Sequence, residues 1–175
     1  MKFFTLLSIL ALTASVRAET TLTMTGVHNC CGSCAKGIIK AGSIGEGVTI
    51  DVPEKSTTVT ITSKKKGDAM KAAEAIIAGG YFGKIEGAES DSKKSTSKPA
   101  TAAKPEAKMA KATVSGVHLC CKKCEVAAAN AVKTVPGITK SDIVAKATSF
   151  TVEGEFTKSE LETALNAAGF AGDIK

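Results

Sequence analysis

The feature that most constrains the fold is a duplication. The segment "HNCCGSC" at residues 28–34 returns ninety positions later as "HLCCKKC" at residues 118–124, each time directly after Gly-Val. The likeness extends to the ends of both units, where "AIIAGGYFGKI" (75–85) matches "ALNAAGFAGDI" (164–174). The sequence therefore predicts two copies of one small domain, each of about 65 to 70 residues and large enough for a single modest core.

Both copies show the same order of local patterns. Period-two alternation indicates strands, and apolar residues at helical spacing indicate helices. In the first copy the predicted strand, helix, two strands, helix and short strand lie at 20–27, 34–44, 47–52, 57–62, 68–79 and 81–87. In the second copy the first strand lies at 111–117 and the first helix follows Cys124. Two strands at 142–147 and 149–155, a helix at 157–169 and a last strand at 170–174 complete the unit. This order predicts an α+β fold of two ferredoxin-like βαββαβ sandwiches joined by a flexible linker.

The ends and the middle of the chain differ from the two units in composition. Residues 1–18 have Lys2, an apolar run and a small-residue end at Ala18, which predicts a signal peptide cleaved after Ala18. Its apolar run is too short to span a bilayer, so no stable membrane insertion is expected. The predicted units are domain 1 at 19–87, a flexible Ser/Lys/Pro/Ala linker at 88–109 and domain 2 at 110–175. Localisation is expected to be periplasmic or secreted.

Charge and aromatic content argue against a nucleic-acid partner. Without residues 1–18 the chain has 21 basic and 17 acidic side chains, a net charge of +4, because only Lys2 and Arg17 are removed. That balance is too mild for a phosphate-binding surface. The chain has no Trp and a single tyrosine, so no platform for stacking bases is predicted.

All six cysteines lie in the two repeated segments. Disulfides that stabilise small exported domains usually close longer loops, whereas a bond within Cys-x-x-Cys closes almost none. The spacing therefore favours a local site, although a structural or redox disulfide stays an alternative. Thiolates are ligands for soft ions such as Cu(I). A cysteine at the start of a helix has its thiolate stabilised by free backbone N–H groups.

A loop with Cys-x-x-Cys after a first strand, whose second cysteine opens a helix, resembles the heavy-metal-associated domains. These are ferredoxin-like modules of copper chaperones, metal-pumping ATPases and an exported mercury-binding protein. In that family two cysteines of a Gly-Met-x-Cys-x-x-Cys loop bind one soft cation. The resemblance covers both units and implies that the metal ligands are Cys31 and Cys34 in one and Cys121 and Cys124 in the other.

The two loops also depart from the pattern of that family. Val27 and Val117 stand in place of its methionine, and one extra residue separates the glycine from the cysteine pair. Each loop adds a third cysteine and a histidine as further candidate ligands: Cys30, Cys120, His28 and His118. Three sulfurs suit Cu(I) or Hg(II), whereas three cysteines and a histidine suit Zn(II). Cu(I) is the expected ion, and Zn(II) and Hg(II) stay open.

The function predicted from these features is that of an exported protein that binds a soft metal ion for sequestration or transfer. It is not expected to be an enzyme, and a transfer partner protein is one expected partner besides the ion. One alternative is a thiol–disulfide oxidoreductase. Another is an interaction module in which disulfides or zinc brace the loops.

The repeat leads to three further expectations about individual residues and sites. Because each cysteine cluster lies in its own unit, the sequence predicts two independent metal sites. Tyr81 and Phe170, at equivalent positions after a helix, are expected to be core side chains. The resemblance to heavy-metal-associated domains implies that this loop lies near the metal. The charges of Lys122 and Lys123 are expected to lower the thiol pKa of Cys121 or Cys124.

Overall fold

The computed structural model describes residues 19–86 and 106–175. We call these ranges module 1 and module 2. The predicted signal peptide, residues 1–18, lies outside the described residues. So does the predicted linker, except for its last residues from Glu106 onward.

The two modules have the same architecture. The elements of module 1 are β1 (Thr20–Thr25), α1 (Gly32–Gly42), β2 (Val48–Asp51), β3 (Val59–Ser63), α2 (Lys66–Ala78) and β4 (Lys84–Glu86). Those of module 2 are β5 (Met109–Ser115), α3 (Lys122–Lys133), β6 (Ile138–Ser141), β7 (Ser149–Phe156), α4 (Lys158–Ala167) and β8 (Asp173–Ile174). Each sheet is antiparallel, in the orders β2-β3-β1-β4 and β6-β7-β5-β8. The predicted pair of ferredoxin-like sandwiches is confirmed.

One predicted strand is wrong. Residues 142–147 form a loop and a turn, and the strand β6 precedes them at Ile138–Ser141. The apolar signal in this stretch came from Ile143, which is buried, and from Val144, which is exposed. The repeat predicts the correct position of β6, because Gly137 and Ile138 stand ninety positions after Gly47 and Val48, where β2 begins.

Strand alternation places the core of module 1 on one face of its sheet. Leu22 and Met24 of β1 and Ile61 of β3 are fully buried beneath α1 and α2. In module 2, Val114 of β5 and Val152 of β7 do the same beneath α3 and α4. The buried side chains of both modules belong to one contiguous apolar cluster, so the two cores meet.

The cysteine loops lie at one end of each sheet, between the first strand and the first helix. In module 1 the loop is held to the turn that follows β2. The Val27 N–H donates to the Thr57 carbonyl at 2.9 Å, and the Asn29 side-chain amide donates to the carbonyls of Pro53 and Ser56 at 2.8 and 3.1 Å. In module 2 the Val117 N–H donates to the Thr148 carbonyl at 3.2 Å. Val27 and Val117 are both buried, so they anchor the loops in the core.

Among the described residues, none of the helices combines the length and apolar character needed to cross a membrane.

Candidate metal centre

Six free thiols from the two modules meet in one place. We call them the thiol cluster: Cys30, Cys31, Cys34, Cys120, Cys121 and Cys124. Contacts between their sulfurs range from 3.3 Å, between Cys34 and Cys120, to 3.9 Å, between Cys31 and Cys120. Both of these contacts cross from one module to the other. The expectation of two independent sites is therefore corrected: the cysteines form one group, because the modules face each other through their cysteine loops.

The helix starts hold the thiol cluster in place. Cys31 and Cys121 are the residues immediately before α1 and α3, and both have extended backbone angles. Cys34 and Cys124 lie one turn into these helices and are fully buried. The carbonyl of Cys31 accepts the N–H of Cys34 at 2.9 Å, which fixes the first turn of α1. The positive ends of two helices therefore point toward the same sulfurs.

Two glycine turns join the modules beside the thiol cluster. The Ala171 N–H donates to the Gly80 carbonyl at 3.1 Å, and the Phe82 N–H donates to the Gly169 carbonyl at 3.0 Å, around an antiparallel bridge between Tyr81 and Phe170. Gly80 and Gly169 have φ angles of +89° and +80°. Each turn therefore pairs with its own counterpart in the other module.

Each of these glycines approaches the opposite cysteine loop closely. A Cβ on Gly80 would lie 2.5 Å from the Gly116 carbonyl oxygen and 2.5 Å from the His118 nitrogen. A Cβ on Gly169 would collide in the same way with the backbone of His28. Both positions need glycine for their backbone angle and for this close approach.

The two histidines stack on aromatic rings across the interface. His28 lies against Phe170 with ring centroids 4.4 Å apart, and His118 lies against Tyr81 at 4.5 Å. Burial lowers the pKa of both imidazoles, so they are neutral at pH 7. Tyr81 and Phe170 are buried, as expected of core residues, and in addition they form this interface.

The pKa values of the thiols in the cluster are shifted in opposite directions. A hydrogen bond between Cys124 and Cys34, whose sulfurs lie 3.7 Å apart, is the main cause that lowers the pKa of Cys34 to about 4. The same interaction raises the pKa of Cys124. Burial raises the pKa of Cys30 to about 12 and also raises that of Cys120. One thiolate is thus stabilised by its neighbouring thiols, and further ionisation needs a cation to offset the repulsion.

Cys121 has a lowered pKa, but the cause differs from the expected one. The backbone N–H of Cys124, followed by that of Lys123 and by neighbouring thiols, outweighs burial and lowers the pKa of Cys121 to about 7. The side-chain amine of Lys122 pairs with Glu125 instead. The start of α3 therefore favours the Cys121 thiolate more than the lysine charges do.

This cause predicts how Cys121 reacts in the metal-free, reduced protein. Its alkylation by iodoacetamide, followed by peptide mapping across pH, should have a midpoint near 7 instead of the ordinary 9.0, because the thiolate persists to lower pH. Lys123→Ala keeps the backbone N–H and should leave that midpoint in place. A midpoint near 9, or a large upward shift in Lys123→Ala, would contradict the backbone explanation.

Several sets of ligand atoms in the cluster lie close enough to hold one ion. Within the described residues, the atoms of each set are within 4.8 Å of one another: Cys30, Cys31 and Cys34; Cys31, Cys120 and Cys121; Cys34, Cys120 and Cys124; and His28, Cys30 and Cys124. Three of the four sets draw on both modules. All six predicted cysteines and His28 are thus brought together. His118 belongs to none of these sets and stacks on Tyr81 instead.

Sequence reasoning missed the glycine turns as part of the site. Their signal was present, since Gly-Gly-Tyr at 79–81 and Ala-Gly-Phe at 168–170 occupy equivalent positions. A small residue and a glycine before an aromatic, repeated in both units, marked a shared backbone requirement. No local pattern indicated that each turn would lie on the cysteine loop of the other module.

Fold and site together define a class of protein: two ferredoxin-like modules that share a thiol cluster able to hold a metal ion. No family model and no curated protein sequence matches the chain. Among solved structures, the N-terminal soluble domains of Bacillus subtilis CopA are similar at 15% identity and a TM-score of 0.30, over 91% of this chain and 96% of that one. The first two RRM domains of yeast poly(U)-binding protein Pub1 are similar at 12% identity and a TM-score of 0.24, over 89% and 97%. Neither likeness is strong enough to bear on function.

Proposed function

We propose that this protein is exported and binds Cu(I), which it sequesters or transfers to a partner protein. The observation that carries the proposal is the thiol cluster itself, in which contacts between sulfurs join six free cysteines from two modules into one group. Buried thiols gathered without a counter-charge are costly to ionise. A bound soft cation would offset the cost of ionising these thiols, and binding such a cation would be the function of the thiol cluster.

The chemistry of the ligands supports a soft monovalent ion. Thiolates select Cu(I) strongly among the ions of the first transition row, and Zn(II) also accepts them. Zn(II) prefers four ligands in a tetrahedron. The sets in the thiol cluster have three members, which suits three-coordinate Cu(I). The neutral ring of His28 lies beside Cys30 and Cys124 and could complete a set.

Exchange of the ion also has structural support. Cys34 and Cys124 are fully buried, whereas Cys30, Cys31, Cys120 and Cys121 are partly exposed. A partner thiol could therefore approach the outer sulfurs while the inner ones keep the ion. This arrangement is compatible with transfer by ligand exchange and with storage.

The metal content of the protein tests this proposal. The chain is purified from the exported fraction without added metal and under anaerobic conditions, and its copper, zinc and mercury are quantified together with its free thiols. We expect copper, with all six cysteines reduced. Zinc as the bound ion would contradict the Cu(I) assignment. Metal-free protein with reversible disulfides at these cysteines would favour the thiol–disulfide oxidoreductase instead.

A further inference from the structure

We propose that the thiol cluster is one polynuclear site that takes four Cu(I) ions on six bridging thiolates, held between the two modules. This inference rests on the proposed Cu(I) function and goes beyond it in the number of ions, in the bridging role of every cysteine and in the need for both modules. Its basis is the way in which the six sulfurs are connected.

The sulfurs have the connectivity of an octahedron. The sulfur of Cys30, for example, lies 3.7, 3.7 and 3.6 Å from the sulfurs of Cys34, Cys121 and Cys124. Its fourth neighbour is the sulfur of Cys31, which lies within 4.8 Å. The same holds for each of the others: every sulfur has four such neighbours and one remaining partner. The remaining pairs are Cys30 and Cys120, Cys31 and Cys124, and Cys34 and Cys121. Since no residue occurs in two of these pairs, they are the opposite corners of an octahedron.

An octahedron has four alternate faces that share corners but no edges. Three of these faces are all-cysteine sets already described: Cys30, Cys31 and Cys34; Cys31, Cys120 and Cys121; and Cys34, Cys120 and Cys124. The fourth face is Cys30, Cys121 and Cys124, whose sulfurs lie 3.6 to 3.8 Å apart. Every sulfur belongs to two of the four faces. One ion on each face would therefore be three-coordinate, and each thiolate would bridge two ions.

The spacing of the sulfurs fits this arrangement. A metal–thiolate bond of about 2.3 Å in a three-coordinate plane places the sulfurs about 4.0 Å apart. Nine of the twelve neighbouring pairs of sulfurs lie 3.3 to 3.9 Å apart. The other three pairs, Cys30–Cys31, Cys31–Cys121 and Cys120–Cys121, lie within 4.8 Å. A slight expansion would accommodate the ions, whereas a disulfide would need sulfurs at about 2.05 Å.

The charges also balance. Ionisation of all six thiols releases their protons to solvent, and four Cu(I) ions reduce the charge of the six thiolates to −2. No change of oxidation state is involved, because copper enters as Cu(I). The N-terminal ends of α1 and α3 face this residual negative charge, which they stabilise. The first turn of α1 has no acidic side chain, and Glu125 in the first turn of α3 pairs with Lys122.

The number of bound ions in the full chain tests the inference. The reduced protein is titrated anaerobically with Cu(I) against a competing chelator, the stoichiometry is read by native mass spectrometry, and copper neighbours are read by X-ray absorption. We expect saturation at four ions per chain, three sulfurs per copper, and scattering from neighbouring copper atoms.

The outcomes separate this inference from the proposed function. Saturation at two ions without copper–copper scattering would overturn the shared site and leave a Cu(I)-binding protein. Saturation at four ions with copper–copper scattering, both lost when the cysteines are replaced, would support the Cu(I) function and the shared site. No retention of Cu(I) against the chelator would overturn the proposed function itself.

Discussion

Alanine at both Gly80 and Gly169 should halve the capacity of the protein for Cu(I), from four ions to two. The atoms nearest to an alanine Cβ at Gly80 belong to module 2, and those nearest to one at Gly169 belong to module 1, in each case to the backbone of the cysteine loop. The substitutions therefore push the modules apart. Once they are apart, each retains three cysteines, enough for one three-sulfur set but not for the shared faces.

The control for this variant is Gly47→Ala. Gly47 has a φ of +82°, close to the +89° of Gly80, and a Cβ there would meet nothing within 4 Å. All three substitutions therefore carry a similar backbone cost of about 1 kcal/mol, but only the pair at the interface adds the collision between modules. Circular dichroism should show folded modules in both proteins.

Small-angle scattering supplies a second measurement. The radius of gyration of the metal-free Gly80→Ala, Gly169→Ala protein should rise relative to the wild type, while that of Gly47→Ala should not. If the double variant stays compact and still binds four ions, the glycine turns do not hold the modules together, and the interface has another origin.

The architecture of each module could be predicted because two independent signals agreed. Alternation in β1 placed Leu22 and Met24 on one face, and the repeat required the same elements twice. The strand that was predicted wrongly, at 142–147, was the one place where local pattern was used instead of the repeat. There Ile143, which is buried, and Val144, which is exposed, produced an apolar signal in a segment that lies between β6 and β7.

The shared centre could not be predicted, because nothing local in the sequence says which surface a module presents to its copy. Gly37 shows how such information is hidden. A Cβ on Gly37 of α1 would collide with the hydroxyl of Tyr81, whose ring stacks on His118 of the other module. The equivalent residue in module 2 is Ala127, and there the equivalent aromatic is Phe170, which has no hydroxyl. The two differences between the modules, Gly37 against Ala127 and Tyr81 against Phe170, can be interpreted together only once the interface is known.

The pKa of Cys121 illustrates a similar limit. The sequence shows two lysines beside this cysteine, and their charges suggested the cause of a lowered pKa. The larger effect comes from backbone N–H groups, which every sequence has and whose direction only the start of α3 determines. Thus the presence of reactive thiols was predictable, and their electrostatic environment was not.

Serine at any single cysteine of the thiol cluster should lower the capacity from four Cu(I) ions to two. Each sulfur belongs to two of the four faces, so its loss leaves two complete faces. The resemblance to heavy-metal-associated domains predicts a different pattern, in which Cys31→Ser and Cys121→Ser each abolish one of two sites while Cys30→Ser and Cys120→Ser change little. Cys30→Ser and Cys120→Ser therefore separate the two arrangements most sharply.

Ser33→Ala is the matched control, because Ser33 is exposed and lies between Cys31 and Cys34 without belonging to any ligand set of the described residues. It should bind four ions like the wild type. Native mass spectra of the reduced variants, recorded after the same anaerobic titration against a chelator, give the count directly. Full capacity in Cys30→Ser would show that this cysteine is not a bridging ligand. It would remove two of the four faces from the proposed centre, since Cys30 is a corner of both.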